Sequence, residues 1–167
     1  ATMNFGIINQ SNLCSFFNVR IILIRNQFPS KHFLDLENID NRIEINIFEY
    51  STEQNNYYVL RKLNKLINKY DGFVITNDGV ELQALRLLGT KNIVFHIVHD
   101  LYNFQLGLNN RDVIDYYICH TIEVYRLLLT DPNLKCRVTY LPFGVNINVD
   151  YTILMNKNRP LVITAVA

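Results

Sequence analysis

The chain lacks the features that mark several large classes of protein. Its 167 residues include 16 basic and 15 acidic side chains, which leaves a formal net charge of +1. That balance excludes a strongly basic nucleic-acid binder, so we expect no nucleic acid among its partners. No apolar run approaches the ~18 residues of a membrane-spanning helix, and no apolar signal-peptide core follows Met3. These absences predict a globular cytoplasmic chain.

Cysteine is scarce and is not arranged for a disulfide framework or a zinc site. The three cysteines, Cys14, Cys119 and Cys136, have no Cys-x-x-Cys spacing, a pattern typical of reduced intracellular thiols. The chain also has no Walker A loop, no Gly-x-Gly-x-x-Gly after its first strand, no His-Glu-x-x-His and no Gly-x-Ser-x-Gly. We therefore expect no bound metal and no cofactor.

Short β-branched runs alternate with longer amphipathic stretches along the chain. This alternation predicts an α/β fold with a doubly wound, mostly parallel sheet and helices on both faces. The strands at 72–76 and 93–98 read as continuous apolar runs, so we expect them to be buried on both faces. The predicted strands are residues 4–8, 19–24, 42–48, 72–76, 93–98, 116–119 and 138–141. The predicted helices are residues 56–70, 80–88 and a last helix that ends at Leu129.

The end of the chain predicts a domain boundary. Residues 146–158 are polar and have no convincing period, which is typical of a linker. Residues 161–166 form a new apolar run that reads as a strand. We therefore expect one domain over residues 1–148, followed over 149–167 by a linker and the first strand of a second, truncated domain.

Polar residues directly follow three of the predicted strands. Ligands of doubly wound sheets bind outside the carboxyl ends of the strands. Since these ends meet at one edge of a parallel sheet, the polar residues there predict a ligand-binding site. The residues are Asn77, Asp78, His99, Asp100, His120 and Thr121.

The most specific of these hypotheses concerns His99. A lone histidine is often a satisfied structural side chain, but His99 comes just past a buried strand, at the edge where α/β ligands lie. We therefore expect His99 to be functional. His96 is three residues earlier, so strand alternation points it to the opposite face. This predicts a place in the core or at an interface, with no metal shared between the two histidines. His120 is left open between a ligand contact, a helix cap and simple exposure.

Asp78 has a structural alternative to a role in chemistry. Asp78 followed by Glu81 fits an N-terminal capping arrangement, and Gly89 fits the residue that ends the same helix. Asp78 is therefore more typical of a helix cap than of a catalytic carboxylate. The free amides of Gly79 and Val80 at this helix start are predicted to receive an anionic ligand.

Three further residues near this edge have simple expectations. Tyr102 follows His99 closely and is predicted either to join the core or to stack on a sugar. Thr121 is predicted to cap the helix that ends at Leu129. Cys119 lies inside a predicted strand, so we expect an inert, packed thiol.

Four segments, in this order and spacing, resemble a known family. They are residues 71–79 (Asp-Gly-Phe-Val-Ile-Thr-Asn-Asp-Gly), 97–100 (Ile-Val-His-Asp), 115–121 (Asp-Tyr-Tyr-Ile-Cys-His-Thr) and 141–146 (Leu-Pro-Phe-Gly-Val-Asn). Residues 70–148 thereby resemble the N-terminal domain of glycosyltransferase family 4, which has the two-domain GT-B fold. The chain departs from the family at residues 9–12, where Asn-Gln-Ser-Asn stands in place of a Gly-Gly loop.

The resemblance implies a function for the whole protein. It implies the Rossmann-like, acceptor-side domain of a retaining glycosyltransferase that moves a sugar from a nucleotide-sugar donor to a glycan or lipid-linked acceptor in polysaccharide biosynthesis. The implied partners are these substrates and the missing C-terminal domain of the same enzyme, with the nucleotide sugar as substrate and no metal. The chain alone is then expected to be inactive. A peripheral contact with the inner face of the membrane stays open.

The resemblance also implies roles for individual residues. His99 matches the family histidine that approaches the donor sugar, and it is the implied catalytic residue. Asp100 is implied either to orient His99 or to meet acceptor hydroxyls, and Gly144 and Asn146 lie at the donor edge. The implied acceptor-binding residues are Asn77, Asp78, Gly79, Asp100, Tyr102, His120 and Thr121.

Two other functions remain open at this point. The first is a stand-alone Rossmann-like or flavodoxin-like ligand-binding module without catalysis, against which the missing glycine-rich loop counts. The second is a sugar-nucleotide epimerase of similar fold. That reaction needs acidic residues at the same edge, for which Asp78 and Asp100 are the candidates.

Overall fold

The computed structural model describes residues 17–26, 41–51, 53–134 and 137–142. Within them the chain is an α/β protein with parallel sheets flanked by helices, consistent with a Rossmann-like fold, which confirms the predicted fold class. The strands are β1 (Arg20–Asn26), β2 (Glu44–Tyr50), β3 (Phe73–Thr76), β4 (Ile93–Val98), β5 (Tyr116–Cys119) and β6 (Val138–Tyr140). The helices are α1 (Asn56–Ile67), α2 (Gly79–Leu88), α3 (Leu101–Asn109) and α4 (Ile122–Leu129).

Every strand pair in the described residues is parallel. Strands β1 and β2 form a two-stranded sheet, and the other four strands form a second sheet in the order β3-β4-β5-β6. Each strand of that sheet is followed in the chain by its neighbour. Since crossovers between parallel strands are right-handed in nearly all proteins, the helices α2, α3 and α4 are expected to lie on the same face. All four strands therefore end at one edge. The loops from β3, β4 and β5 to the helices that follow them begin at this edge.

The core lies between this sheet and the helices. Val94 and Val98 of β4 and Tyr117 of β5 are fully buried, and they join leucines from α1, α2 and α4 in one cluster. Burial of a large apolar side chain contributes about 1.5–3 kcal/mol to folding. Of these helix leucines, Leu63, Leu82 and Leu85 are fully buried, and Leu128 is 1% exposed.

The other face of the four-stranded sheet differs from the sequence prediction. We expected strand 72–76 to be buried on both faces, but Phe73 and Ile75 are 61% and 60% exposed. Crossovers of one hand place the following helices on a single face, so alternate side chains of β3 point away from them. The ring of Phe17 meets the ring of Phe73 edge-on, with centroids 6.4 Å apart.

Most predicted elements within the described residues are present, with shifted ends. Helix α1 ends at Ile67 instead of the predicted residue 70, because Asn68 is its C-cap. Helix α3 was not predicted at all. The strand predicted at 4–8, the linker at 146–158, the strand at 161–166 and the residues Gly144 and Asn146 lie outside the described residues. No described helix is long and apolar enough to cross a membrane.

Candidate functional site

The site is built on the loops that follow β3, β4 and β5. Asn77 comes directly after β3, His99 after β4 and His120 after β5. The structure brings all three together, as predicted from their positions at strand ends. His99 Nε2 lies 2.5 Å from Asn77 Oδ1, and the rings of His99 and His120 stack with centroids 4.9 Å apart.

The hydrogen bonds define the tautomers of the two stacked histidines. An amide oxygen only accepts, so His99 donates its Nε2 hydrogen to Asn77, and Nδ1 is the unprotonated nitrogen of the neutral ring. His120 Nδ1 lies 2.6 Å from the backbone carbonyl of Leu141, to which it donates. His120 thus connects the loop after β5 to the segment after β6.

The surroundings of His99 favour its neutral form. Burial lowers the pKa of His99, and the neighbouring His120 lowers it further, while the carboxylate of Asp100 acts in the opposite direction. Two stacked imidazoles resist carrying two positive charges at once. At neutral pH His99 is therefore an uncharged imidazole with one donor and one acceptor nitrogen.

Asp78 and Glu81 form the predicted capping box at the start of α2. Glu81 Oε1 accepts from the backbone amides of Asp78 at 2.6 Å and Asn77 at 2.8 Å. The amide of Gly79 donates to Asp78 Oδ1 at 2.7 Å. Gly79 is therefore not the free anion-binding amide that the sequence predicted, because the cap already engages it.

Asp100 caps the next helix, α3. Its Oδ1 accepts from the backbone amide of Asn103 at 2.9 Å. The sequence predicted that Asp100 orients His99 or meets acceptor hydroxyls. The structure gives a partner for His99 that the sequence did not predict, the amide oxygen of Asn77.

The remaining predicted site residues have different surroundings. Tyr102, the second residue of α3, is 65% exposed, so of its two predicted places the core is wrong. Thr121 is the N-cap residue of α4, but its side chain makes no capping hydrogen bond. The predicted side-chain cap is therefore wrong: Thr121 has the extended backbone typical of an N-cap residue, but its hydroxyl makes no hydrogen bond with the α4 amides.

His96 lies in the core, which is one of the two places predicted for it. Its side chain is fully buried, with Nε2 3.1 Å from the carbonyl of Asn103 and Nδ1 3.0 Å from Thr76 Oγ1. Because a carbonyl only accepts, Nε2 carries the hydrogen, and Nδ1 faces the Thr76 hydroxyl, which also lies 3.2 Å from the carbonyl of Phe95. Burial lowers the pKa of His96, so the ring is neutral at physiological pH.

Protonation of buried histidines makes the stability of this fold sensitive to mild acid. The native pKa of His96 lies below its ordinary value of 6.5, so below that pH the unfolded chain binds more protons than the native one. The free energy of unfolding then decreases as the pH falls, by at most about 1.4 kcal/mol per pH unit for this residue. We expect urea midpoints to fall between pH 7.5 and pH 5.5, and His96→Gln to weaken this dependence. If the urea midpoint of His96→Gln depends on pH as strongly as that of the wild type, groups other than His96 cause the pH dependence.

Cys119 and Tyr117 are packed groups within the sheet. Both are fully buried in β5, which confirms the packed position predicted for Cys119. Burial raises the pKa of Cys119 to about 11 and that of Tyr117 to about 12. The thiol therefore stays protonated, and the Tyr117 hydroxyl donates to the carbonyl of Gly107 at 3.2 Å.

Comparison with known proteins adds nothing to this geometry. No protein-family model, no curated protein and no solved structure matches the chain. Within the residues that the structure describes, no group of three or more His, Cys, Asp or Glu side chains is arranged to hold a metal ion. The interpretation of the site therefore rests on His99, Asn77 and His120 themselves.

Proposed function

We propose that the chain is the acceptor-side half of a retaining glycosyltransferase. In this proposal a nucleotide sugar gives its sugar to a glycan or lipid-linked acceptor, and a second domain of the same protein holds the nucleotide. The observation that carries the proposal is the neutral His99, held by Asn77 and stacked on His120 at the carboxyl edge of the sheet. That edge is where ligands of open α/β sheets bind.

The chemistry of His99 suits a sugar hydroxyl. Its Nε2 donates to Asn77 Oδ1, and the neutral ring carries one donor and one acceptor nitrogen. A sugar hydroxyl is a hydrogen-bond donor as well as an acceptor, so it pairs with a neutral imidazole nitrogen. In this role His99 orients the sugar at the reacting carbon, and its lowered pKa keeps the ring uncharged at neutral pH.

Neighbouring groups support a polar ligand of this kind. Asp78 is exposed and offers carboxylate oxygens to hydroxyl donors, and the exposed ring of Tyr102 is a surface on which the apolar face of a sugar packs. The helices α2, α3 and α4 all start at this edge. Carboxylates cap α2 and α3, so of these three helix N-termini only that of α4, which has no side-chain cap, suits the negative charge of a phosphate.

A location at the inner face of the membrane belongs to the same proposal. A lipid-linked acceptor is presented at that surface, where anionic lipids attract basic side chains. Exposed basic residues lie on α1 and just after it. They are Arg61, Lys62, Lys65 and Lys69.

The proposal is tested with the protein encoded by the complete open reading frame. It is incubated with UDP-glucose, GDP-mannose and UDP-N-acetylglucosamine, each radiolabelled in the sugar, and with lipid and glycan extracts as acceptors. We expect transfer of label with retention of the anomeric configuration, and no transfer by residues 1–167 alone. Ligand binding by residues 1–167 with no transfer by the complete protein would contradict the proposal and favour the stand-alone binding module.

A further inference from the structure

Asn77 makes three hydrogen bonds, and one of its partners is a core residue. Its backbone amide donates to Glu81, its side-chain oxygen accepts from His99, and its backbone carbonyl accepts from Asn103 Nδ2 at 2.9 Å. Asn103 is only 7% exposed. The side-chain amide of the buried Asn103 therefore fixes the position of Asn77, the hydrogen-bond partner of His99.

Asn103 is itself fixed by two further hydrogen bonds. Its backbone amide donates to Asp100 Oδ1, and its carbonyl accepts from Nε2 of the buried His96. A buried side chain anchored through its own backbone has little freedom to move, so its amide nitrogen stays directed at Asn77. One residue of α3 thus connects the loop after β3, strand β4 and the start of α3.

We infer that Asn103 is a positioning residue for His99, acting through Asn77. Asn103 does not touch the proposed sugar; it fixes the loop that carries the His99 partner. The functional consequence rests on the proposed role of His99, whereas the positioning itself does not. Without the Asn103 amide the carbonyl of Asn77 loses its buried donor, the loop moves, and the hydrogen bond from His99 Nε2 weakens.

A pair of matched variants separates positioning from general stability. Asn103→Leu removes the amide while keeping a similar volume and adding no charge. Asn110→Leu is the control, because Asn110 is 5% exposed, caps the other end of α3, and donates to the carbonyl of Leu106 at 2.9 Å. Both variants remove one amide-to-carbonyl hydrogen bond from a buried asparagine of the same helix.

The readout is the imidazole N–H signal of His99 in the proton NMR spectrum of residues 1–167, assigned with His99→Gln. A ring N–H is seen when a hydrogen bond protects it from exchange with water. We expect the signal in the wild type and in Asn110→Leu, and an exchange rate higher by on the order of tenfold in Asn103→Leu, as loss of one hydrogen bond allows. If Asn103→Leu does not fold, Asn103→Ala and Asn110→Ala replace the pair, since their smaller side chains admit water to the carbonyl.

Each outcome of this experiment decides the inference. Faster exchange or loss of the signal in the Asn103 variant alone supports positioning, even if the complete protein transfers no sugar. An exchange rate unchanged in both variants, raised equally in both, or a signal absent from the wild type overturns it. If the complete protein does transfer sugar, Asn103→Leu lowers kcat more than it raises KM, because the misplaced His99 affects the reacting sugar.

Discussion

Replacement of His99 by alanine in the complete protein is expected to lower the turnover of the proposed sugar transfer by at least roughly tenfold, which corresponds to ~1.4 kcal/mol of transition-state stabilisation. The variant removes the ring that Asn77 holds and His120 stacks on. The free energy of unfolding changes by only about 1 kcal/mol, because the ring is half-buried and a typical hydrogen bond such as that to Asn77 contributes about that much. Initial rates at saturating donor, together with urea unfolding, measure both quantities.

A surface variant away from the carboxyl edge is the control for this loss. Arg86 lies in the last turn of α2 and pairs with Asp112 at 3.2 Å on the exposed surface. Exposed ion pairs contribute only about 0–1 kcal/mol, so Arg86→Ala should fold and transfer sugar at the wild-type rate. Unchanged turnover in His99→Ala would remove His99 from the site.

Replacement of Gly107 by alanine destabilises the fold although it places a better helix former in α3. A Cβ at this position would lie 3.0 Å from Tyr117 Cε1 and 3.1 Å from His96 Cδ2. Both rings are fully buried and cannot move aside without disturbing the core. Overpacking of this kind costs about 1–3 kcal/mol, against a gain of at most about 1 kcal/mol in helix propensity. We expect a lower urea midpoint for Gly107→Ala.

Gly79 offers a matched comparison for this effect. A Cβ at Gly79 would lie 3.1 Å from Leu106 Cδ2, the far end of a flexible side chain. That methyl group gives way more easily than two buried rings, so Gly79→Ala should lose less stability than Gly107→Ala. A Gly107→Ala protein more stable than the wild type would show that the helix and its two aromatic neighbours are packed less tightly than the distances indicate.

The edge of the sheet could be predicted from the sequence because its signals are local. A buried run followed at once by polar residues marks where a parallel strand ends, and this pattern predicted Asn77, His99 and His120 together. The capping box of Asp78 and Glu81 is likewise a short-range spacing. The hydrogen bond between His99 and Asn77 joins residues 22 positions apart, and no local pattern specifies which side chains pair at that distance.

Helix α3 shows why the rest could not be predicted. It begins with an N-cap aspartate, Asp100, but two asparagines and Gly107 in its sequence weaken the helical signal. Tertiary contacts explain two of these residues. Asn103 donates to the backbone carbonyl of Asn77, and Gly107 leaves space for the rings of Tyr117 and His96. The available signal was the Asp100 cap directly after a buried strand.

The most direct measurement of the central claim maps ligand binding onto residues 1–167 by proton–nitrogen NMR. The probes are UDP-glucose, GDP-mannose and the methyl glycosides of glucose, mannose and galactose, each titrated into the millimolar range. We predict that at least one sugar probe shifts the backbone amides of Asn77, His99 and His120 most strongly, and that His99→Ala weakens its binding. Shifts confined to the opposite edge of the sheet, at residues 90–92 and 111–115, or no shift with any probe, would contradict a sugar site at the carboxyl ends of β3, β4 and β5.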